Sequence, residues 1–200
     1  MTRARTANDA ASQRARVRRH PERAAPERAE EILRAGRVAH VGYAVDGQPF
    51  VLPLLYFYDD GKLYLHGAPA SRTIKALRAG MPVCVEVTLL DGLVASRDAK
   101  SHSVNYRSAM VFGTCEAVQD LAAKRAVFER MTQRMFSGRT AGTDYHPANE
   151  GDLKGVELLM VRIEERSAKV RSGPPRGLHD TDDPAGTQTG YVVELPGIDS

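Results

Sequence analysis

The sequence has no tryptophan, two cysteines, and only five Phe and seven Tyr among its 200 residues. The two thiols, Cys84 and Cys115, sit in separate apolar runs without C-x-x-C spacing. That excludes a thiolate metal site and argues against a disulfide framework, leaving both as small buried hydrophobes. No apolar run approaches the ~18 residues of a membrane-spanning helix, and no apolar segment follows Arg18-Arg19 as it would in a secretory leader. The expectation is a soluble, cytoplasmic protein without membrane contact. His40, His102 and His146 are scattered without ligand spacing, so no metal is expected and none of the three is given a role. No internal repeat is present.

Charge of one sign is scarce except at the start. Before Ala29 stand Arg3, Arg5, Arg14, Arg16, Arg18, Arg19, Arg23 and Arg28, against Asp9, Glu22 and Glu27, and the rest of the chain is slightly acidic. The high pI therefore belongs to a tail. Residues 1–25 read as an Arg-rich arm, disordered at least to His20, because Ala and Arg bury too little apolar surface to offset the entropy of ordering. Aromatic residues do not interleave with these arginines, so nucleic acid is not an expected partner. Asp9 and Glu22 argue against a transit peptide. Residues 26–175 read as one domain and 176–200 as a C-terminal extension, with an apolar patch at Tyr191 to Leu195 able to dock back.

Within 26–175 the pattern is mainly β. Pro26 to Arg34 reads as a short helix ending at Gly36. Val38 to Val45, the Asp46-Gly47 turn and Pro49 to Tyr58 read as a hairpin, and Asp59-Asp60-Gly61 turns again into Lys62 to His66. Pro53 points to an edge or a bulge. Val83 to Leu90 alternates as a strand ending at Asp91-Gly92. Val104 to Val118 is long for one strand, with Gly113 marking a bulge or bend. A helix capped by Asp120 carries Leu121, Val127, Phe128, Met131 and Met135 near one face. Val156 to Glu164 and Ala168 to Arg171 read as a last hairpin. Six or so mostly antiparallel strands with short outer helices amount to a small closed or half-closed barrel.

The chain is organised around Gly61 to Gly80, GKLYLHGAPASRTIKALRAG, where a strand breaks at His66-Gly67-Ala68-Pro69 and Ser71 opens a helix. Ser71, Arg72, Thr73 and Lys75 bring two hydroxyls and two cations to the first turn, beside N–H groups that lack intrahelical acceptors. This outlines a phosphate site. The other reading makes Ser71 a simple N-cap beside two solvated cations.

In order along the chain, PFVLPLLYFYDDGKLYLHG (Pro49 to Gly67), LYLHGAPASRTIKAL (Leu63 to Leu77) and NYRSAMVFGTCEAVQD (Asn105 to Asp120) resemble the pyridoxamine 5′-phosphate oxidase superfamily of FMN-binding split barrels, in its nitroimidazole-resistance-like branch. The resemblance covers about Pro26 to Pro175. It implies a six-stranded antiparallel split barrel, homodimeric, with FMN in grooves between protomers. Ser71 and Arg72 match the family's phosphate pair, Thr73 stands where the oxidases usually have Lys, and Lys75 is a substitute cation. Backbone of Val51, Leu52, Pro53 and Leu54, together with Leu65, His66, Gly67 and Ala68, would flank the flavin ring. Tyr106, Arg107 and Ser108 would approach it, plausibly from the other chain. His66 and Tyr106 are the candidate catalytic side chains, as hydrogen-bond donors or a proton source.

The apolar PFVLPLLYF replaces a basic strand of the oxidases, and their C-terminal substrate-phosphate residues are not found. Pyridoxamine phosphate oxidation is therefore not expected. The resemblance implies instead an oxidoreductase passing electrons from a nicotinamide donor to a small acceptor, nitroaromatic or quinone-like. FAD, a deazaflavin coenzyme or haem are the alternative cofactors, and a non-catalytic flavin-binding module is the alternative role.

Overall fold

The computed structural model describes residues 14–180 and 190–195. Among the described residues seven strands and four α-helices follow in order: α1 (Ala29–Ala35), β1 (Val38–Val45), β2 (Gln48–Asp59), β3 (Lys62–Gly67), α2 (Arg72–Arg78), β4 (Val83–Ala95), β5 (Ser103–Ala117), α3 (Leu121–Met135), α4 (Glu150–Gly155), β6 (Glu157–Arg171) and β7 (Tyr191–Glu194). The sheet order is β1-β2-β3-β6-β5-β4-β7, and β1 also pairs with β4 through His40↔Glu86 to Gly42↔Cys84. Six strands thus form a closed pairing circuit, and β7 is added to β4. The fold is a mainly β split barrel, as the sequence implied.

The hairpins follow from their turn residues. Asp46 and Gly47 have φ of 50° and 78°, Asp60 and Gly61 of 47° and 72°. Two consecutive left-handed residues define the turn whose twist matches antiparallel strands. The first turn fixes the register Val45↔Gln48, Ala44↔Pro49, Tyr43↔Phe50. Pro53 is tolerated because β2 pairs with β1 over 48–55 but with β3 only from Tyr56 onward, so one side of this stretch has no ladder to interrupt.

Two compact units arise from the chain. One holds β1, β2, β3, α2, α3 and α4 with the segments Val83–Glu86, Val111–Ala117 and Glu157–Glu165 of the long strands. Its core includes Phe57, Tyr64, Val127 and Leu158, against which Val118, Phe128, Met131 and Met160 pack. This is the apolar face of α3 laid on β2, β3 and β6, each fully buried side chain contributing roughly 1.5–3 kcal/mol. Asp120 caps α3 by accepting from the Ala123 N–H at 2.7 Å. Buried Lys124 donates from Nζ to the carbonyls of Leu153 and Val156 at 3.0 and 2.9 Å, tying α3 to the end of α4. Lys124→Met is expected to lower stability by about 2–3 kcal/mol in urea unfolding, since both carbonyls lose a charged donor.

The other unit holds α1, the segments Val87–Ala95, Ser103–Met110 and Arg166–Arg171, and β7. Ala29, Ile32 and Leu33 bury one face of α1. The Tyr191 to Leu195 patch does dock, as β7 antiparallel to Gly92–Ala95.

Three sequence expectations are corrected. Asp91-Gly92 does not end β4, because the strand runs on to Ala95 and Gly92 is needed for closeness: a Cβ there would lie 2.9 Å from the Val193 carbonyl oxygen of β7. Glu157–Arg171 is one strand and not a hairpin, since Glu164 to Ser167 offer polar alternation but no left-handed turn residue. The Arg-rich arm is not disordered to His20. From Arg14 it is laid down, Ala15 is buried, and Ala24 bridges Lys169 while the Ala25 N–H donates to the Ala168 carbonyl at 3.0 Å. Residues 1–13 and 181–189 lie outside the described residues. Among the described residues no helix is long and apolar enough to cross a membrane.

Candidate functional site

The turn between β3 and α2 is compact because Gly67 has no side chain: a Cβ there would meet Ile74 Cγ1 at 2.9 Å. The Ser71 N–H donates to the Ala68 carbonyl and the Ser71 carbonyl accepts from the Lys75 N–H, both at 2.9 Å. Gly80 at φ 86° closes α2, its N–H donating to the Leu77 carbonyl and that of Met81 to the Ala76 carbonyl.

The first turn of α2 is fixed to the β1–β2 hairpin by two side-chain contacts. The Arg72 guanidinium lies 4.1 Å from the Phe50 ring centroid, and Phe50 stacks in turn on its cross-strand neighbour Tyr43, 5.4 Å away at 24°. Tyr43 and Thr73 hydroxyls share a buried hydrogen bond of 2.9 Å. Arg72 is therefore positioned by stacking. Among the described residues no carboxylate pairs with Arg72 or Lys75, both exposed, and the Ser71 hydroxyl does not cap the helix. A hydroxyl and two cations are left for an anion. Thr73 is buried, and its hydroxyl shares this bond with Tyr43.

Along β2, Val51, Pro53 and Leu55 are exposed while Leu52 and Leu54 are half-buried. Among the described residues this stretch pairs with β1 alone, and its peptide groups facing the other way are suited to hydrogen bonding the polar edge of a planar ligand. In β3, Leu65 is buried in the core, so only its backbone can contribute. His66 is half-buried with its ring edge-on to Phe128, centroids 5.6 Å apart. Burial lowers its pKa, keeping the imidazole neutral near pH 7 and able to donate at one nitrogen while accepting at the other.

Tyr106, Arg107 and Ser108 stand on β5 in the other unit. Arg107 is committed there, its NH2 group 2.7 Å from Asp91 and its NH1 group 3.6 Å from Glu31. Ser108 donates to the Lys169 carbonyl at 3.4 Å. Burial pushes the Cys115 thiol up to about 12, which leaves it unreactive. Phe50 and Tyr43 were given no site role in the sequence reading, although the Asp46-Gly47 register pairs them directly.

Comparison with known proteins adds three results. Over 92% of its length the chain matches 85% of the flavocytochrome Anf3 from Azotobacter vinelandii, at 32% identity and a TM-score of 0.80. Over 86% it matches 84% of the FAD and heme binding protein from Mycobacterium smegmatis, at 30% identity and 0.77. A protein assigned to 5-nitroimidazole antibiotic resistance from Bacteroides thetaiotaomicron matches 73% of the chain over 84% of its own, at 25% identity and 0.60. No curated protein matches. The sequence profile described as pyridoxamine 5′-phosphate oxidase matches residues 25–170, and the chain belongs to that family.

Proposed function

We propose that the protein is a flavin-binding redox protein that holds the cofactor phosphate at Ser71, Arg72 and Lys75. The observation that carries this reading is Arg72, exposed, stacked on Phe50 and without a carboxylate partner among the described residues. A guanidinium fixed by a ring keeps its fork free for a phosphate, where a flexible unpaired cation would lose more entropy on binding. A bound flavin supplies the electron-transfer chemistry, and the chain supplies binding and orientation. Backbone of Val51 to Leu54 and of Leu65 to Ala68 flanks the ring, with neutral His66 as a hydrogen-bonding group beside it. Tyr106 would serve from a second protomer of a homodimer. A reduced nicotinamide is the donor in this reading and a nitroaromatic or quinone-like compound the acceptor. The family name is not carried over as an activity.

A second reading, FAD with haem, is favoured by the similarity to two proteins whose names state flavin with cytochrome and FAD with haem. His66, on the strand that precedes the phosphate turn, would then be a candidate to hold the haem iron. The test is reconstitution of the purified protein with FMN, FAD and haem in turn, followed by gel filtration and absorbance. A two-band flavin spectrum that co-elutes with a dimer supports the first reading, and an added sharp haem band supports the second. Protein that emerges colourless from all three mixtures overturns both.

A further inference from the structure

We infer that a cavity between α3 and the 136–149 loop binds a neutral aromatic carboxamide, with Arg125 and Glu129 holding the two ends of its amide.

The cavity encloses about 310 Å³ and lies wholly within the unit that carries β3 and α2. Small-molecule sites usually span roughly 300–1,000 Å³, so there is room for one substituted ring. One wall is helical. Arg125, Phe128, Glu129 and Thr132 follow one another at i, i+3, i+4 and i+7, a single stripe along α3, and all four line the cavity. The other wall is the segment Tyr145 to Ala148, which is held at both ends. On one side the Gly142 N–H donates to the Tyr145 carbonyl at 2.8 Å and the Thr140 N–H to the Asp144 carboxylate at 2.7 Å. On the other the Arg125 guanidinium donates to the Ala148 carbonyl, and Asn149 and Asp152 close a reciprocal capping box at the start of α4. Two of the polar lining groups are engaged in this framework. The Asp152 carboxylate accepts from the Asn149 N–H at 2.8 Å, and the Thr132 hydroxyl donates to the Phe128 carbonyl at 2.9 Å.

Arg125 and Glu129 are different. Both are half-buried, opposite in sign and one helical turn apart, yet they form no ion pair with each other or with any other described residue. Arg125 uses one N–H on the Ala148 carbonyl and keeps the rest of its fork, and the Glu129 carboxylate has no hydrogen-bond donor among the described residues. An anion placed here would meet Glu129 and Asp152, and a cation would meet Arg125. A carboxamide is neutral and offers a carbonyl to the guanidinium and an N–H to the carboxylate, each a charge-assisted hydrogen bond. The ring that carries the amide has Phe128, Tyr145 and Pro147 to pack on. Phe128 also joins this cavity to the site already described, because its ring meets the His66 imidazole edge-on with centroids 5.6 Å apart. A nicotinamide donor carries such a carboxamide, and only this use of the cavity rests on the flavin reading.

Nicotinamide and benzamide are titrated into the full chain and followed by saturation-transfer NMR, with benzoate and benzylammonium as references that keep the ring and carry a full charge of either sign. Both carboxamides are expected to bind about tenfold more tightly than either charged compound. Glu129→Ala is expected to weaken both carboxamides about tenfold and to reverse the order, so that benzoate, drawn to Arg125 without Glu129 beside it, binds more tightly than benzamide. Glu129→Gln, which keeps the shape and loses the charge, is expected to move the order the same way to a smaller degree. A fold that has merely loosened weakens all four compounds together, and an unchanged order in both variants overturns the proposal. Benzoate binding the wild type as tightly as benzamide overturns it too, as does the lack of any saturable signal from the carboxamides. Arg72→Ala is expected to leave nicotinamide affinity unchanged even where FMN binding is lost. A fall in nicotinamide affinity there would move the ring to the β3–α2 turn and overturn the assignment to this cavity. If Arg72→Ala leaves FMN affinity intact, the flavin reading fails alone and the order of the four compounds still decides the cavity.

Discussion

Arg72→Ala is expected to weaken FMN binding about 10- to 100-fold while leaving the unfolding midpoint nearly unchanged. The size follows from losing one charge-assisted pair to the phosphate, about 1.5–3 kcal/mol, at roughly 1.4 kcal/mol per tenfold in affinity. The small effect on the fold follows from the position of Arg72: the side chain is exposed, ion-paired to no described residue, and gives up only its stack on Phe50, worth about 0.5–1 kcal/mol at an exposed site. Arg72→Lys separates charge from geometry, because an ammonium keeps the attraction but neither forks nor stacks as a guanidinium does. Its affinity is expected to lie between those of the wild type and the alanine variant. Flavin fluorescence quenching measures all three, and equal affinities would remove the phosphate from this turn.

The strand-to-helix turn was legible because it is written in local chemistry. Ala68-Pro69 follows Gly67, the last residue of the strand, Ser71 cannot be mistaken for core, and Gly80 takes the left-handed conformation a helix end requires. The hairpins were legible for the same reason, through Asp46-Gly47 and Asp60-Gly61. What the sequence concealed depends on contacts distant along the chain. Asp91-Gly92 has the composition of Asp46-Gly47, yet it lies mid-strand because β7, about a hundred residues later, approaches its backbone. Thr73 looked like one more hydroxyl in a phosphate turn, and only Tyr43, thirty residues earlier, turns it inward. The arm misled differently. Its arginines predict solvation residue by residue, but Ala15 and Ala25 are small enough to be buried, and the backbone of Ala24–Ala25 pairs with β6. Backbone hydrogen bonding of this kind is nearly independent of side-chain type and leaves little trace in composition.

The same distinction between conformational freedom and space decides the outcome at Gly113. The sequence reading assigned this glycine to a bulge or bend. Gly113 has no positive φ and sits buried within β5, and a Cβ built there would fall 1.9 Å from the Arg162 carbonyl oxygen and 3.0 Å from the Arg162 carbonyl carbon. Both obstacles are backbone of β6, which cannot rotate away as a side chain end would. Relief requires β5 and β6 to part where Val111 and Cys115 of one and Leu159 and Val161 of the other are buried. Gly→Ala at an ordinary compatible position stabilises by about 0.4–1 kcal/mol through the unfolded chain. Gly113→Ala is expected to reverse that sign and cost more than about 4 kcal/mol, enough to exhaust much of a small domain's stability. Gly155→Ala is the matched control, because its Cβ would meet nothing within 4 Å and its φ is negative. Urea unfolding should leave Gly155→Ala within about 0.5 kcal/mol of the wild type. Gly113→Ala should be found largely insoluble or unfolded at low denaturant, and a wild-type midpoint would mean that the two strands do not approach as closely in solution as their backbones do here.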